Sequence, residues 1–367
     1  MAAGIMRRAA LAGDGLATAA VVHAPALSGR LAAFLADLHR GCGALRSDSL
    51  SESLAIAFPD ASERELRRLD REFWRSKYRR WVEHRQLESL SPSALVRYAR
   101  THVEIEGEEH LQEALECPEA VVAFTPHYGH FLLATLRFAL EAQGRKQMFL
   151  FYNPPEKNPY TPTMSRLFAR LGSGAESVFN NRAGVLRVSK GLAHGGALGI
   201  MPDVYELEPG AMFVPFFGKF LICMAGTAFF TLRFAARLLP VYCRRVGPDR
   251  FALEVDPPLV VGRKSSSPDD VFDLTAAIAR NMETHIRRAP EHWVYWENFR
   301  DRVARAISLP PDACGWRREL AGLRERYRSH TPPLTSLLAE LEGRLAGPGG
   351  LAGNGPGNLE TEERRLW

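Results

Sequence analysis

Ala120-Val121-Val122-Ala123-Phe124 runs into Thr125-Pro126-His127-Tyr128-Gly129-His130-Phe131-Leu132-Leu133, and the fold is read from this junction. The first five residues form a short apolar run of the kind that makes a buried strand. From Phe131 to Leu140 the apolar residues recur with a helical period. A histidine on such a strand-to-helix turn, beside a glycine and at the start of a helix, is well placed to act as a general base. Five residues after His127, where a carboxylate would orient the imidazole, the chain has Leu132.

Working outward, strands and helices alternate from about 119 to 262. Short apolar runs stand at Val121 to Phe124, Met148 to Tyr152, Ala197 to Met201 and Leu238 to Tyr242. Helical segments are expected between them, over 131–143, 160–171, 183–194 and 226–237. This rhythm predicts an α/β fold: an open mixed, mostly parallel sheet with helices on both faces. Phe251 to Val255, after a turn at Gly247-Pro248-Asp249, reads as an added antiparallel strand.

The flanks read as helical. An arm and a helix near Ser28 to Arg40 fill residues 1–48, and 49–115 is expected to be a helical part of the main α/β domain, 49–305. Ser62 and Glu65 have capping-box spacing for a helix running to about Arg85. Its polar side carries Arg64, Arg67, Arg68, Arg71, Arg75, Lys77, Arg79, Arg80 and Arg85, a solvated basic face or a docking face for an acidic partner. Asp269 to Arg288 reads as a further amphipathic helix. Residues 306–346 are expected as a C-terminal helical appendage and 347–367, rich in Gly and Pro, as a disordered tail.

Composition sets limits. The chain has 367 residues, 46% of them apolar, and a formal charge of +5, so a sizeable core is expected and no strongly polyionic partner is implied. Its five cysteines are scattered without CxxC spacing, which argues for a reducing compartment and against a disulfide framework or zinc site. Arg7, Arg8 and the small residues after Ala9 sketch a signal peptide, but Asp14 interrupts it. No apolar run has the roughly 18 to 20 residues of a membrane helix. A cytoplasmic location, peripheral to the inner membrane, is expected. P-loop, GxGxxG and GxSxG signatures and nucleic-acid modules are absent from the sequence.

Other segments bear on chemistry. His127 and His130 have metal-ligand spacing but no third ligand of the HExxH type, so no metal or cofactor is expected. Gly195 to Asp203 reads as a strand ending in Pro202-Asp203, and a carboxylate just past a strand's C-terminal end lies where open α/β sheets bind ligands. Glu206 follows in the loop, ahead of an aromatic turn, Phe213-Val214-Pro215-Phe216-Phe217-Gly218. Asn180-Asn181-Arg182 caps the next helix and places a cation near the same rim. Pro290-Glu291-His292-Trp293-Val294-Tyr295-Trp296-Glu297-Asn298-Phe299 is rich in aromatics, mostly buried by default.

Taken in order, these segments resemble the lauroyl/myristoyl acyltransferases of lipid A biosynthesis, within the lysophospholipid-acyltransferase-like superfamily. The resemblance covers roughly 50–302. Ser51 to Pro59 is similar to that family's opening "NL..AFP", and His127 to Leu132 falls on its His-x4-Asp/Glu active-site motif. Arg182 and the strand ending in Asp203 are similar to the segment around its arginine and Pro-Asp. Val214 to Gly218 and Pro290 to Trp293 match its later boxes. The resemblance implies that His127 deprotonates an acceptor that attacks an acyl thioester on a carrier protein. It also implies that Leu132 occupies the seat of the carboxylate that should orient the histidine.

Two more departures accompany Leu132. Glu297, Asn298 and Phe299 stand where the family has a basic run, and its membrane-anchoring N-terminal helix is not recognised. Together they point away from an anionic lipid A precursor. The sequence therefore predicts an acyltransferase of specialised metabolism, moving an acyl or peptidyl group from an acyl or peptidyl carrier protein to an amine or other small acceptor. An amine needs less help from a base than a hydroxyl does. His127 and His130 are the candidate catalytic residues, with His130 as a substitute orienter. Tyr128, Leu132, Arg182, Asp203, Glu206 and Glu297 are the candidate substrate-binding residues. The competing readings are a carrier- or lipid-binding homologue with altered chemistry, or hydrolysis, elimination or cyclisation of a carrier-bound thioester. Nucleic acid is not expected as a partner, and peripheral contact with a membrane is.

Overall fold

The computed structural model describes residues 25–41, 48–204, 211–261 and 268–305. Four helices lead in: α1 (Pro25–Gly41), α2 (Asp48–Ala57), α3 (Glu63–Ser89) and α4 (Pro92–Thr101). The capping box of α3 forms as its spacing predicts, with Ser62 Oγ accepting from Glu65 N–H and Glu65 Oε2 from Ser62 N–H at 2.8 Å. Phe73 and Trp74 bury the apolar side of α3, while Arg75 pairs with Asp37 of α1 and Arg40 of α1 with Asp70.

The chain then alternates through β1 (Val103–Glu106), α5 (Glu108–Glu116), β2 (Val121–Phe124), α6 (Phe131–Ala142), β3 (Met148–Tyr152), α7 (Thr161–Leu171), β4 (Glu176–Phe179), α8 (Arg182–Leu192) and β5 (Ala197–Ile200). A hairpin of β6 (Ala211–Phe216) and β7 (Lys219–Met224) follows, then α9 (Gly226–Arg233), β8 (Arg237–Gly247) and β9 (Arg250–Val255). Helix α10 (Pro268–Arg288), a 3-10 turn (Pro290–His292) and α11 (Trp296–Arg305) complete the described chain.

Seven strands form one sheet in the order β1-β9-β8-β2-β5-β3-β4. From β8 to β4 all neighbours are parallel, whereas β9 is antiparallel to β8. Each strand side chain alternates between faces, and both faces are covered. Val122 and Phe124 join one apolar core, which takes in residues of α8, α9 and α10. Val121 and Ala123 join the other, with residues of α4, α5, α6 and α7. Full burial on both faces explains why β2 is a continuous apolar run.

The mixed, mostly parallel sheet, the helical lead-in and the antiparallel strand 251–255 all stand as the sequence predicts. Four strands lie outside that reading. β1 interrupts the stretch expected to be helical, because Val103 and Ile105 add an edge to the sheet beside β9. β4 is a short edge strand with one buried residue, Val178, too little apolar pattern to signal itself. The aromatic turn is the β6–β7 hairpin, closed by Phe217-Gly218 with φ of 50° and 66°. Positive φ at both central residues suits the twist of a two-residue hairpin, and Phe217 is an unusual choice there. Its ring is 3% exposed and packs against Phe58, Trp296 and Phe299, and its N–H donates to Glu283 Oε2 at 2.7 Å. That burial offsets the cost of the left-handed backbone.

Among the described residues no helix is long and apolar enough to cross a membrane. The expected N-terminal arm before Pro25 and the appendage and tail beyond Arg305 lie outside the described residues.

Candidate active site

Phe124 of β2 and Ile200 of β5 are partners in the sheet register. Both strands end in the same pattern, Thr125-Pro126-His127 after β2 and Met201-Pro202-Asp203 after β5. A proline has no N–H to continue a ladder, so pairing stops there; the last link is Thr125 N–H to Ile200 C=O at 3.2 Å. His127 and Asp203 are therefore each three residues past the same rung. They meet at the C-terminal edge of the parallel strands, the edge where open α/β sheets place their ligands.

The two side chains are bonded twice over. Asp203 Oδ1 accepts from His127 Nδ1 at 2.8 Å, and Oδ2 accepts from the His127 backbone N–H at 2.8 Å. Trp293 Nε1–H donates to Oδ2 at 3.0 Å. Asp203 is 3% exposed. Burial opposes its charge, but His127 and the Trp293 indole outweigh that and hold its carboxyl below the usual carboxylate range. A carboxylate can only accept, so Nδ1 carries the imidazole proton and Nε2 is the basic nitrogen.

The loop that carries His127 is clamped by the aromatic segment after the 3-10 turn. His127 C=O accepts from Val294 N–H and His292 C=O from Gly129 N–H, both at 2.9 Å, with Tyr128 and Trp293 bridged between. Gly129 has φ of 56°, and a Cβ there would sit 1.8 Å from Cys243 O. The loop passes so close to β8 that only glycine fits. Phe131 and Tyr295 meet the His127 ring edge-on, at centroid distances of 5.0 and 4.9 Å. Arg302 of α11 lies 3.8 Å over the Tyr295 ring and donates to Asp203 C=O at 3.0 Å.

The remaining sequence-derived candidates scatter. His130 does not orient His127: its Nδ1 caps α6, accepting from Leu133 N–H at 3.3 Å, and the seat at His127 Nδ1 is filled by Asp203. Asp203, expected to hold substrate, is committed to His127 and Trp293. Leu132 is fully buried in the apolar core under α6. Tyr128 is buried between Tyr242 and His292, its hydroxyl donating to His285 C=O at 3.4 Å. Glu297 forms an ion pair with Lys77, so it is not a spare anion for a cationic substrate. Arg182 is exposed at the start of α8, past β4 and three strands from β2, about 14 Å at a spacing of ~4.8 Å per strand. Glu206 lies outside the described residues.

Sequence reasoning missed Trp293, Tyr295 and Arg302 as neighbours of the histidine, and missed Asp203 as its partner. Pro-His and Pro-Asp mark the two strand ends in the sequence, but nothing along the chain shows that those ends are neighbours. Aromatic density alone gave no such signal for the 293–302 segment.

The family model for bacterial lipid A biosynthesis acyltransferase matches residues 15–299 of the chain, a span that includes His127, Asp203 and Trp293. No curated protein matches the chain.

Proposed function

Since the chain belongs to the bacterial lipid A biosynthesis acyltransferase family, and is an acyltransferase in that general sense, we propose a specific reaction for it: transfer of an acyl group from a carrier-protein thioester to a hydroxyl or amine of a small acceptor. His127 is the general base. Its Nε2 takes the acceptor's proton as the nucleophile attacks the thioester carbonyl, and the carrier thiol leaves. Asp203 fixes the tautomer and stabilises the imidazolium that forms. The observation that carries this reading is the 2.8 Å bond between His127 Nδ1 and Asp203 Oδ1.

That bond also revises the expected acceptor. The case for an amine over a hydroxyl rested on a histidine with no carboxylate, and Asp203 removes that premise. With its orienter present the base suits a hydroxyl as well. The reading of a homologue without chemistry loses the same support.

The carrier protein as donor is supported by α3. Its basic residues divide in the structure: Arg67, Arg75 and Arg85 pair with nearby carboxylates, Lys77 with Glu297, and Arg80 is buried. Arg64, Arg68 and Arg71 stay exposed, a compact cationic patch for an acidic partner.

Purified chain supplied with acyl carrier thioesters and matched hydroxyl and amine acceptors tests the reaction. His127→Ala is expected to lower turnover about 10²- to 10⁴-fold, the usual worth of a general base. Unchanged turnover in that variant removes His127 from the chemistry.

A further inference from the structure

Behind the turn that carries Gly129 and His130 lies a polar cavity of about 170 Å³, between α3, the 3-10 turn and the β8–β9 end. Arg79, Arg80 and Arg245 line it together with Glu72, Glu83 and Glu291. The charges do not cancel in place. Arg245 is paired with Glu83, and Glu72 faces Arg75 at 3.1 Å. Burial raises the carboxyl of Glu291, weakening it as an anion.

Arg80 is 8% exposed, and among the described residues no side chain comes within hydrogen-bond or ion-pair distance of its guanidinium. Burial pulls it down only to about 10, so it is charged at neutral pH. Arg79, on the same wall, is likewise without a partner among the described residues. His130 also lines the space, with its Nε2 sealed beneath the wall. His130 Nδ1 accepts the α6 cap bond, so Nε2 bears the proton; it is buried with no hydrogen-bond acceptor, its nearest carboxylate oxygen being Glu83 Oε2 at 3.8 Å. A guanidinium walled into a cavity without a bonded carboxylate, with only the more distant Glu297 acting on its charge, favours an anion there. Guanidinium forks match the geometry of a tetrahedral oxyanion.

We propose that this cavity is a substrate subsite for a phosphoryl group, held by Arg80 with Arg79. His130 is three residues from His127, at most about 11 Å along the chain, so the phosphoryl group sits within one substrate length of the base. Two sources carry that chemistry: the phosphodiester of a phosphopantetheine arm on the donor, or a phosphate monoester on the acceptor. The subsite does not depend on His127 acting as a base.

The test is calorimetric titration of the full chain with inorganic phosphate at constant ionic strength, alongside thermal unfolding. Saturable binding is expected, with His127→Ala binding like the wild type. Arg80→Met is expected to weaken binding at least tenfold and to abolish the phosphate-induced rise in Tm. In chloride alone Arg80→Met should melt at or above the wild-type temperature, because a buried charge without a bonded partner is gone. Arg79→Met, expected to bind severalfold more weakly, serves if Arg80→Met does not fold. Displacement of phosphate by phosphopantetheine assigns the subsite to the donor, and displacement by glycerol 3-phosphate alone assigns it to the acceptor. Lack of saturable binding, or equal binding in both arginine variants, overturns the proposal. Displacement by neither compound leaves an adventitious ion only and overturns the substrate assignment.

Discussion

Asp203 grips His127 at two points, the ring Nδ1 through Oδ1 and the backbone N–H through Oδ2, each at 2.8 Å. One carboxylate thus fixes both the imidazole's tautomer and the loop that presents it. Asp203→Asn breaks this without changing volume, because an amide has one accepting atom for three donors. Where a carboxylate sets the tautomer of a catalytic histidine, its amide replacement costs about 10⁴-fold in kcat. A loss of that order is expected, with a native circular dichroism spectrum; a loss under tenfold would mean that Asp203 does not orient the base.

Trp293→Phe removes one donor from Asp203 Oδ2 and leaves the ring packing of Phe216 and Phe299 in place. Hydrogen bonds to charged groups are worth about 1.5–3 kcal/mol, so the carboxylate becomes easier to protonate. The acid limb of the pH–rate profile is expected to move to higher pH, with activity above that limb reduced about tenfold or less. An unmoved acid limb would show that the indole serves packing alone.

Gly129→Ala combines a backbone at φ 56° with a Cβ placed 1.8 Å from Cys243 O. The clash is with main chain of β8, which cannot swing aside as a side chain does. Destabilisation of at least about 2 kcal/mol is expected in urea unfolding, from strain at a left-handed site plus the displaced loop.

The sheet was legible because its parallel strands are buried on both faces, which writes an unbroken apolar run into Val121 to Phe124 and its neighbours. β1 and β4 were not, since edge strands with one strongly buried residue each carry little pattern. For the site, His127 could be found from its strand-to-helix turn, and Asp203 from its strand end, as two separate residues. Their pairing could not, because it depends on β5 returning to lie beside β2, between β2 and β3. Spacing along one helix led instead to Leu132, a core residue. Leu132→Glu is accordingly expected to destabilise the fold by burying a charge, and not to raise turnover, since Nδ1 already has its carboxylate.

Three buried imidazoles predict where the chain fails in acid. Burial holds His130 down to about 3 and His292 to about 4, and His84 lies well below its ordinary value. Each is neutral when folded and takes a proton on unfolding once pH drops below about 6.5. The unfolded state then binds more protons, so stability rises with pH across the window from about 4 to 6.5 and falls as acid is added. With three groups the slope approaches about 4 kcal/mol per pH unit at its steepest. His285 acts in the opposite window. Burial opposes its charge, but Asp256, at 2.8 Å, and Glu254 raise it, so its contribution is full below about 6.5 and fades as pH climbs through the raised value. Urea midpoints are therefore expected to drop steeply between pH 6.5 and 5, and to decline gently on the alkaline side. His285→Gln should lose the gentle alkaline decline and keep the acid collapse. A flat urea midpoint from pH 7 to 5 would mean that the three histidines protonate as readily in the folded chain as in the unfolded one.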